Sequence, residues 1–480
     1  MHDLRERYQR VPYEDFVSPL TDPGLSGTIA RLYGIPAVSA DGCRILELGC
    51  GAGLNLSAIA ARHPSSHCIG MDLVPERISE GRQRAARAGL TNIELLQADL
   101  ADFNWPGERF DRIIVWGLFS WVPDALKARI FEIVAACLAP GGVACICFLT
   151  YPGCKLNEGL RDLMTLQSGD GLPQERLATA RAALTTLAEA GAMGARHHSS
   201  IQAWRQQAQE LLGKSDALLF HDELGSDYDP CYLLQFVDWA AEHGLAHLAD
   251  ADTPGGAEHL LPPDMAARVA AWSDDPLARD QFADYLTHRT LRTALLVRAE
   301  DAVTAAFTPA AVRELSLGSL LQPLADAAGF HHPRGEDIAV ADADVATLLR
   351  AASAGQGLRR PMGEWLAAAD DAWPRVGATL FGLFARKLVS LSQTTDTAQP
   401  PKRPALHAFN RLLLAERAML VSGHHQPMPL PAAEVAFLRR LDGSLLRDEL
   451  LACAEAQRLG GERSQQLLDV LWRQGSLLTG

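Results

Sequence analysis

The stretch "ILELGCGAGLN" (45–55) sets the chemical question, with Glu47, Gly49, Gly51 and Gly53 in an E-x-G-x-G-x-G spacing behind an apolar run. Glycines at this spacing let backbone approach a ligand closely. The pattern is not that of a dinucleotide fingerprint, G-x-G-x-x-G, whose third glycine would fall on Leu54 or Leu56. No G-x-x-x-x-G-K-[ST] loop occurs, so a nucleoside triphosphate on a P-loop has no support. Two carboxylates follow at useful places. Asp72 closes "SHCIGMDL", where it can accept both ribose hydroxyls. Asp99 closes "IELLQADL", placed to meet an adenine amino group, with Leu100 beside the ring. A glycine loop that serves no pyrophosphate, followed by carboxylates for ribose and adenine, suits a nucleoside that carries a cation. The expected cofactor is S-adenosyl-L-methionine, whose sulfonium and ammonium charges suit an acidic, glycine-lined crevice.

The elements that must position these groups are legible in residues 43–150. "CRILELGC", "SHCIGMDL", "IELLQADL", "FDRIIVWG" and "VACICFLT" are apolar runs, as expected of parallel strands buried on both faces. Helix-like stretches lie between them; "PERISEGRQRAARAGL" opens with Pro75 and closes at Gly89, ordinary helix punctuation. Strands alternating with helices of this length predict right-handed βαβ units and an open parallel sheet, an α/β fold. The cofactor-binding, Rossmann-like part is expected over 1–155. Residues 156–230 read as helical. Residues 231–300 return a helix, a Gly turn and two strand patterns. Two organisations fit: 156–230 is an insertion and 231–300 completes the sheet, or the sheet ends near 155 and a helical domain follows. The first is adopted. Residues 301–391 form a middle domain with helix signals in "PAAVRELSLGSLLQPLADAAG", "DADVATLLRAAS" and "PMGEWLAAADDAW". Residues 392–403 have Thr- and Pro-rich linker composition, and 404–480 read as a small helical domain. That last domain carries no cofactor motif, so its deletion is expected to leave cofactor binding intact.

The motifs "ELGCGAGLN", "GMDL", "QADL" and "APGG" together resemble the successive motifs of class I S-adenosylmethionine-dependent methyltransferases. The resemblance implies a seven-stranded core and adds Asn55 and Leu73 to the cofactor-binding residues. "FSWVP", "TYPGCK", "LFHDELGSDYDPCY", "HGLAHLADAD", "HHQPMPL" and "LDGSLLRDEL" extend it to bacterial methyltransferases with a methyltransferase regulatory domain. The middle domain, 301–391, is taken as the regulatory one. Members of that group include protein-lysine methyltransferases, so the implied activity is N-methylation of lysine side chains in a protein; a small-molecule acceptor is the alternative. Three positions depart from the pattern around the acceptor: Trp116 stands where His is common, Leu149 where Asn is common, and Cys154 where Trp is common.

Methyl transfer from a sulfonium is an in-line displacement that needs the nucleophile at about 3–3.5 Å and stripped of water. A lysine acceptor must first lose its proton, which a tyrosine or carboxylate can relay. Trp116, Phe119, Trp121 and Tyr151 follow strand ends and are expected beside the methyl group, where aromatic faces attract a developing ammonium. Trp116 is assigned to the cofactor; Trp121, Tyr151 and Tyr13 are the catalytic candidates. Tyr8 and Tyr13 belong to an N-terminal segment expected to fold over the cofactor. "HDELGSDYDP" puts Asp222, Glu223, Asp227 and Asp229 close together, a cluster that either steers a basic side chain or forms a solvated loop. His221 and His243 read as structural, and His424 and His425 carry no assigned chemistry.

Composition bounds the rest. The chain has 480 residues, 48% of them hydrophobic, and a net charge of −14. That charge disfavours nucleic-acid binding and mildly favours a basic partner. Nine scattered cysteines without a C-x-x-C pair argue for a reducing cytoplasm and against a metal site. The first residues lack an apolar signal core, and no apolar run is long enough to span a membrane. A homodimer is an open arrangement.

Overall fold

The computed structural model describes residues 2–107, 109–166, 171–190, 198–256, 259–303, 305–325, 329–366, 370–396 and 399–478. Seven strands form the central sheet: β1 (Arg44–Leu48), β2 (His67–Asp72), β3 (Ile93–Gln97), β4 (Phe110–Val115), β5 (Leu138–Leu149), β6 (Leu245–Asp250) and β7 (Leu291–Arg298). Their order is β3-β2-β1-β4-β5-β7-β6. Pairing is parallel from β3 through β5, whereas β7 runs antiparallel to both β5 and β6. The expected α/β, Rossmann-like core is therefore present, and the segment after 231 supplies its last two strands. The order of successive strands reverses between β1 and β4, which themselves run parallel. That switch point leaves a crevice outside the carboxyl ends of the strands.

The continuous apolar runs are explained by burial on both faces. Ile45 and Ile114 face a layer with Leu56 and Ile59. Leu46, Leu48 and Ile113 face the opposite layer with Phe131 and Val134. Farther along the sheet, Val143, Cys145, Leu295 and Val297 share one buried apolar cluster with Val312, Leu348, Trp373 and Phe381 of the middle domain. The middle domain is thus joined to the sheet by apolar contact. All nine cysteines are free thiols; eight are buried, and Cys453 is partly exposed.

Helices Cys154–Thr165, Pro173–Glu189 and His198–Leu212 build the insertion, which has its own small core around Leu160, Leu184 and Phe220. Residues 309–329 are expected from their apolar spacing to be helical; 326–328 lie outside the described residues, and 309–325 instead make a 3-10 turn (Pro309–Glu314) and two short strands, Ser316–Ser319 and Gln322–Pro323. Gly318 permits a close backbone approach that apolar spacing does not report. It lies in the first of these strands, where a Cβ would meet the Gly357 carbonyl at 2.6 Å. Helices Ala408–Arg417 and Gly461–Arg473 anchor the C-terminal unit, with a two-stranded hairpin of Met419–Val421 and Pro427–Pro429. No helix among the described residues is long and apolar enough to cross a membrane.

Closure of the sheet by β6 and β7 rests on a buried charge cluster. Arg292 on β7 donates to Asp284 through Nε at 3.0 Å and Nη2 at 2.9 Å, and its Nη1 donates to Asp250 on β6. All three side chains are nearly inaccessible. Removing one partner of such a cluster leaves an uncompensated buried charge. Arg292→Met is expected to lower unfolding stability by about 3–5 kcal/mol, read by urea denaturation. A change below 1 kcal/mol would show that water reaches the two carboxylates.

Candidate functional site

The glycine loop follows β1 and turns into the helix Leu54–Arg62. Gly49, Gly51 and Gly53 all adopt left-handed backbone, with φ of 72°, 57° and 64°. That conformation is costly for any residue with a Cβ. At Gly53 the Cβ would also meet Leu95 at 2.9 Å. The loop is tied to the end of β2: Gly49 and Cys50 N–H groups both donate to the Met71 carbonyl at 2.9 Å. Asp72 accepts from Gly51 N–H through Oδ2 and from Val74 N–H through Oδ1, each at 2.9 Å. Burial raises the Asp72 carboxyl above the ordinary carboxylate range, and the two amides oppose that rise.

A crevice of roughly 960 Å³, counting space open to solvent, lies over this loop. Gly49, Gly51, Asp72, Leu73, Asp99 and Leu100 all line it, as expected. So do Trp121 and the two N-terminal tyrosines, Tyr8 and Tyr13. Glu47, Gly53 and Asn55 stand behind the loop. Glu47 accepts from Asn55 Nδ2 at 2.8 Å, and burial pushes its carboxyl up to about 8. Its role is support of the loop.

The N-terminal segment is held across the crevice by a carboxylate that the sequence did not single out. Asp15 Oδ1 accepts from Ala52 N–H of the loop at 3.2 Å and from Arg77 at 2.5 Å. Its Oδ2 accepts from Arg84 at 3.4 Å and from Arg417 at 3.2 Å. No motif marks Asp15; on the helix it meets, Glu80 pairs with both Arg77 and Arg84. The other end of the segment is gripped by the insertion. His221 meets the Val11 carbonyl at 2.6 Å and stacks on Tyr8 at 4.3 Å. Burial lowers this imidazole to about 4, which keeps it neutral and structural. Tyr13 donates its hydroxyl to Asp222 Oδ1 at 2.9 Å. Burial pushes the Asp222 carboxyl up to about 6, against the opposing pull of Lys214 at 3.9 Å.

Three expected site residues go elsewhere, and for the same reason: a place after a strand end does not fix a side chain's direction. Trp116 packs against the apolar layer that holds Leu56 and Ile114, outside the crevice lining. Phe119 is fully buried among Phe131, Phe148 and Phe236. Tyr151 also lies outside the lining; its hydroxyl donates to Glu158, its ring lies 5.1 Å from Tyr232, and Lys155 sits 3.7 Å from the ring centre. The acidic run is neither a free steering cluster nor a solvated loop. Asp222 is taken by Tyr13, Glu223 by Lys214 at 2.7 Å, Asp227 by Arg7 at 3.4 Å and Asp229 by Lys127.

The residues present fit S-adenosylmethionine. Cβ atoms at Gly49 and Gly51 would fill the floor of the crevice, where they would already meet Leu118 at 3.1 Å and Asp15 at 3.2 Å. The Trp121 indole N–H is buried on the crevice wall without a protein partner, a donor left for a ligand. Among the described residues no group of His, Cys, Asp and Glu is arranged to hold a metal.

Comparison with known proteins agrees. Residues 45–142 match the family model described as "Methyltransferase domain", and residues 215–298 the one described as "Predicted methyltransferase regulatory domain". The second match falls on the segment that completes the sheet, not on 301–391. The fold is similar to that of PKMT2 from Rickettsia typhi, with a TM-score of 0.79 at 20% identity over 98% of this chain and 100% of that one. A structure of PKMT2 in complex with AdoHcy gives a TM-score of 0.80 at 21% identity, with the same coverage. An uncharacterized protein of Rickettsia prowazekii (strain Madrid E) is 31% identical over 60% of this chain, and the chain spans 52% of that relative's length. A trans-aconitate 2-methyltransferase from Methylobacterium nodulans is 31% identical over 30% of this chain and 52% of its own.

Asp72→Ala is expected to weaken binding of the cofactor by about 1.5–3 kcal/mol, the range for hydrogen bonds to a charged group. Isothermal titration calorimetry reads it directly. Unchanged affinity would mean that another acid holds the ribose.

Proposed function

The chain carries a class I S-adenosylmethionine-dependent methyltransferase core joined to a methyltransferase regulatory domain, and we propose that it N-methylates lysine side chains of a protein substrate. The observation that carries this reading is the hydrogen bond from Tyr13, in the crevice wall, to the buried Asp222 of the insertion. An oxygen acid needs little help to shed its proton, but a lysine ammonium has no free lone pair until a base removes a proton. Asp222 is that base, reached through the Tyr13 hydroxyl. The hydroxyl oxygen accepts the ammonium proton while its own proton passes to Asp222 Oδ1. Burial raises the Tyr13 pKa strongly, so the tyrosine relays without resting as phenolate.

When bound, S-adenosylmethionine supplies an electrophilic methyl group on a sulfonium. The chain's own residues do the rest. Asp72 and Asp99 orient the nucleoside, and the glycine loop lets its amino-acid end approach the backbone. Trp121 offers an aromatic face to the cationic nitrogen and excludes water from it. Tyr151, outside the crevice lining, is given no part in proton transfer.

A macromolecular acceptor is supported by how far each likeness reaches. Similarity to PKMT2 runs through the insertion and the C-terminal regions, at 98% of this chain. The match to the trans-aconitate enzyme stays within 30% of it. A small-molecule acceptor is the second reading, favoured by that latter match. Incubating a cell lysate with methyl-labelled cofactor separates them: label in protein bands supports the first, label only in the small-molecule fraction the second.

Tyr13→Phe is expected to lower kcat by about 10²–10⁴ with little change in cofactor Kd. Asp222 must be ionised to accept a proton, and its titration lies near 6. Turnover should therefore fall as pH drops through about 6, and Asp222→Asn should remove that limb of the profile along with most of the rate. A Phe variant at full speed would make Tyr13 a wall.

A further inference from the structure

The C-terminal unit reaches the glycine loop by two separate polar routes. The first starts at Arg417, the last residue of its helix Ala408–Arg417. Arg417 donates to Asp15 Oδ2 at 3.2 Å, and the other oxygen of that carboxylate accepts the Ala52 amide of the loop at 3.2 Å. The second starts at His425 in the hairpin turn. Its Nε2 lies 2.8 Å from Asn55 Oδ1, and Asn55 Nδ2 donates to Glu47 Oε1 at 2.8 Å. Ser18 N–H and Thr21 Oγ1 donate to the same Asn55 oxygen, at 3.3 and 3.0 Å. That oxygen can only accept, so His425 carries its proton on Nε2.

Both routes are built at some local expense. His425 and Ala418, next to Arg417, adopt left-handed backbone with φ of 55° and 50°. Such positions are unfavourable in a residue with a Cβ and persist where the surroundings impose them. Between the routes, Phe409, Leu413 and Val421 pack on Leu54 and Ala58 of the loop's helix and on Val17.

We infer that the C-terminal unit is a working part of the cofactor crevice, with Arg417 and His425 as positioning residues that hold Asp15 and Asn55, and through them the glycine loop, in the binding arrangement. This rests on the cofactor reading given above. It runs against the expectation that removing 404–480 spares cofactor binding: a chain without this unit loses the Arg417 contact to Asp15 and the His425 contact to Asn55.

The test is calorimetric titration of the full-length protein and its variants with S-adenosylhomocysteine. Arg417→Ala and His425→Ala are each expected to raise Kd about fivefold or more, the lower end of ordinary coupling between sites, and the double variant further. Arg417→Lys and His425→Gln, which keep a donor, should recover much of the loss. Arg447→Ala breaks an ion pair with Asp469 (2.5 Å) inside the same unit and away from the crevice, and should leave Kd unchanged. If His425→Ala does not fold, Arg417→Ala carries the test, because its side chain is one-third exposed. Arg417→Ala binding within twofold of wild type, or Arg447→Ala losing as much, overturns the inference alone. A wild-type protein that takes up no S-adenosylhomocysteine overturns the cofactor reading and the inference with it.

Discussion

One carboxylate governs how the site is assembled. Asp15 is nearly inaccessible, and its two oxygens gather the Ala52 amide and the guanidinium groups of Arg77, Arg84 and Arg417. A buried charge is tolerated only when its hydrogen bonds are met. Here meeting them requires four parts of the chain to converge: the N-terminal segment, the glycine loop, the helix Pro75–Arg87 and the C-terminal unit. Once Asp15 is fixed, Tyr13 two residues earlier is fixed over the crevice, and Asp222 can find it. The glycine loop and the tyrosine-bearing wall of the crevice are thus set by the same ion cluster.

The core was legible because its signals are local. Apolar strand runs, the alternation with helices and the glycine spacing all lie within 43–150, and each has a direct physical cause. The positions of Asp72 and Asp99 were legible for the same reason, since both mark strand ends and both reach the crevice. Tyr13 and Trp121 were also named from the sequence and line the crevice, but the long-range pairings that hold the site were not legible. Tyr13 and Asp222 are 209 residues apart in sequence, and Asn55 and His425 are 370 apart. No periodicity reports a contact of that range. Trp116, Phe119 and Tyr151 failed at a finer scale: their place after a strand was right, but packing decided where each ring turned. Residues 309–325 departed from the helix their apolar spacing suggested, and that spacing does not report a backbone approach like that of Gly318 to Gly357.

Cofactor and acceptor chemistry are therefore written in different parts of the chain. The glycine loop and its carboxylates occupy one continuous stretch that many proteins share, as the match over 45–142 reflects. The crevice wall opposite that stretch comes from residues 8–15, which the insertion holds through Asp222. Similarity confined to the core consequently carries information about the nucleoside and little about what is methylated. The regulatory-domain match adds to this division. It spans 215–298, and so takes in both Asp222 and the strands that close the sheet.

The burial of the cysteines has a practical side. Burial raises the pKa of all eight inaccessible thiols, Cys43, Cys50, Cys68, Cys137, Cys145, Cys147, Cys154 and Cys231. Thiolate is the reactive form, so these side chains resist alkylation and mild oxidants while the protein is folded. Cys453, the ninth, is the partly exposed one and sits in the C-terminal unit. The unaltered protein thus offers a single addressable position for a maleimide dye or spin label. Such a label would watch the C-terminal unit directly, without any engineered cysteine.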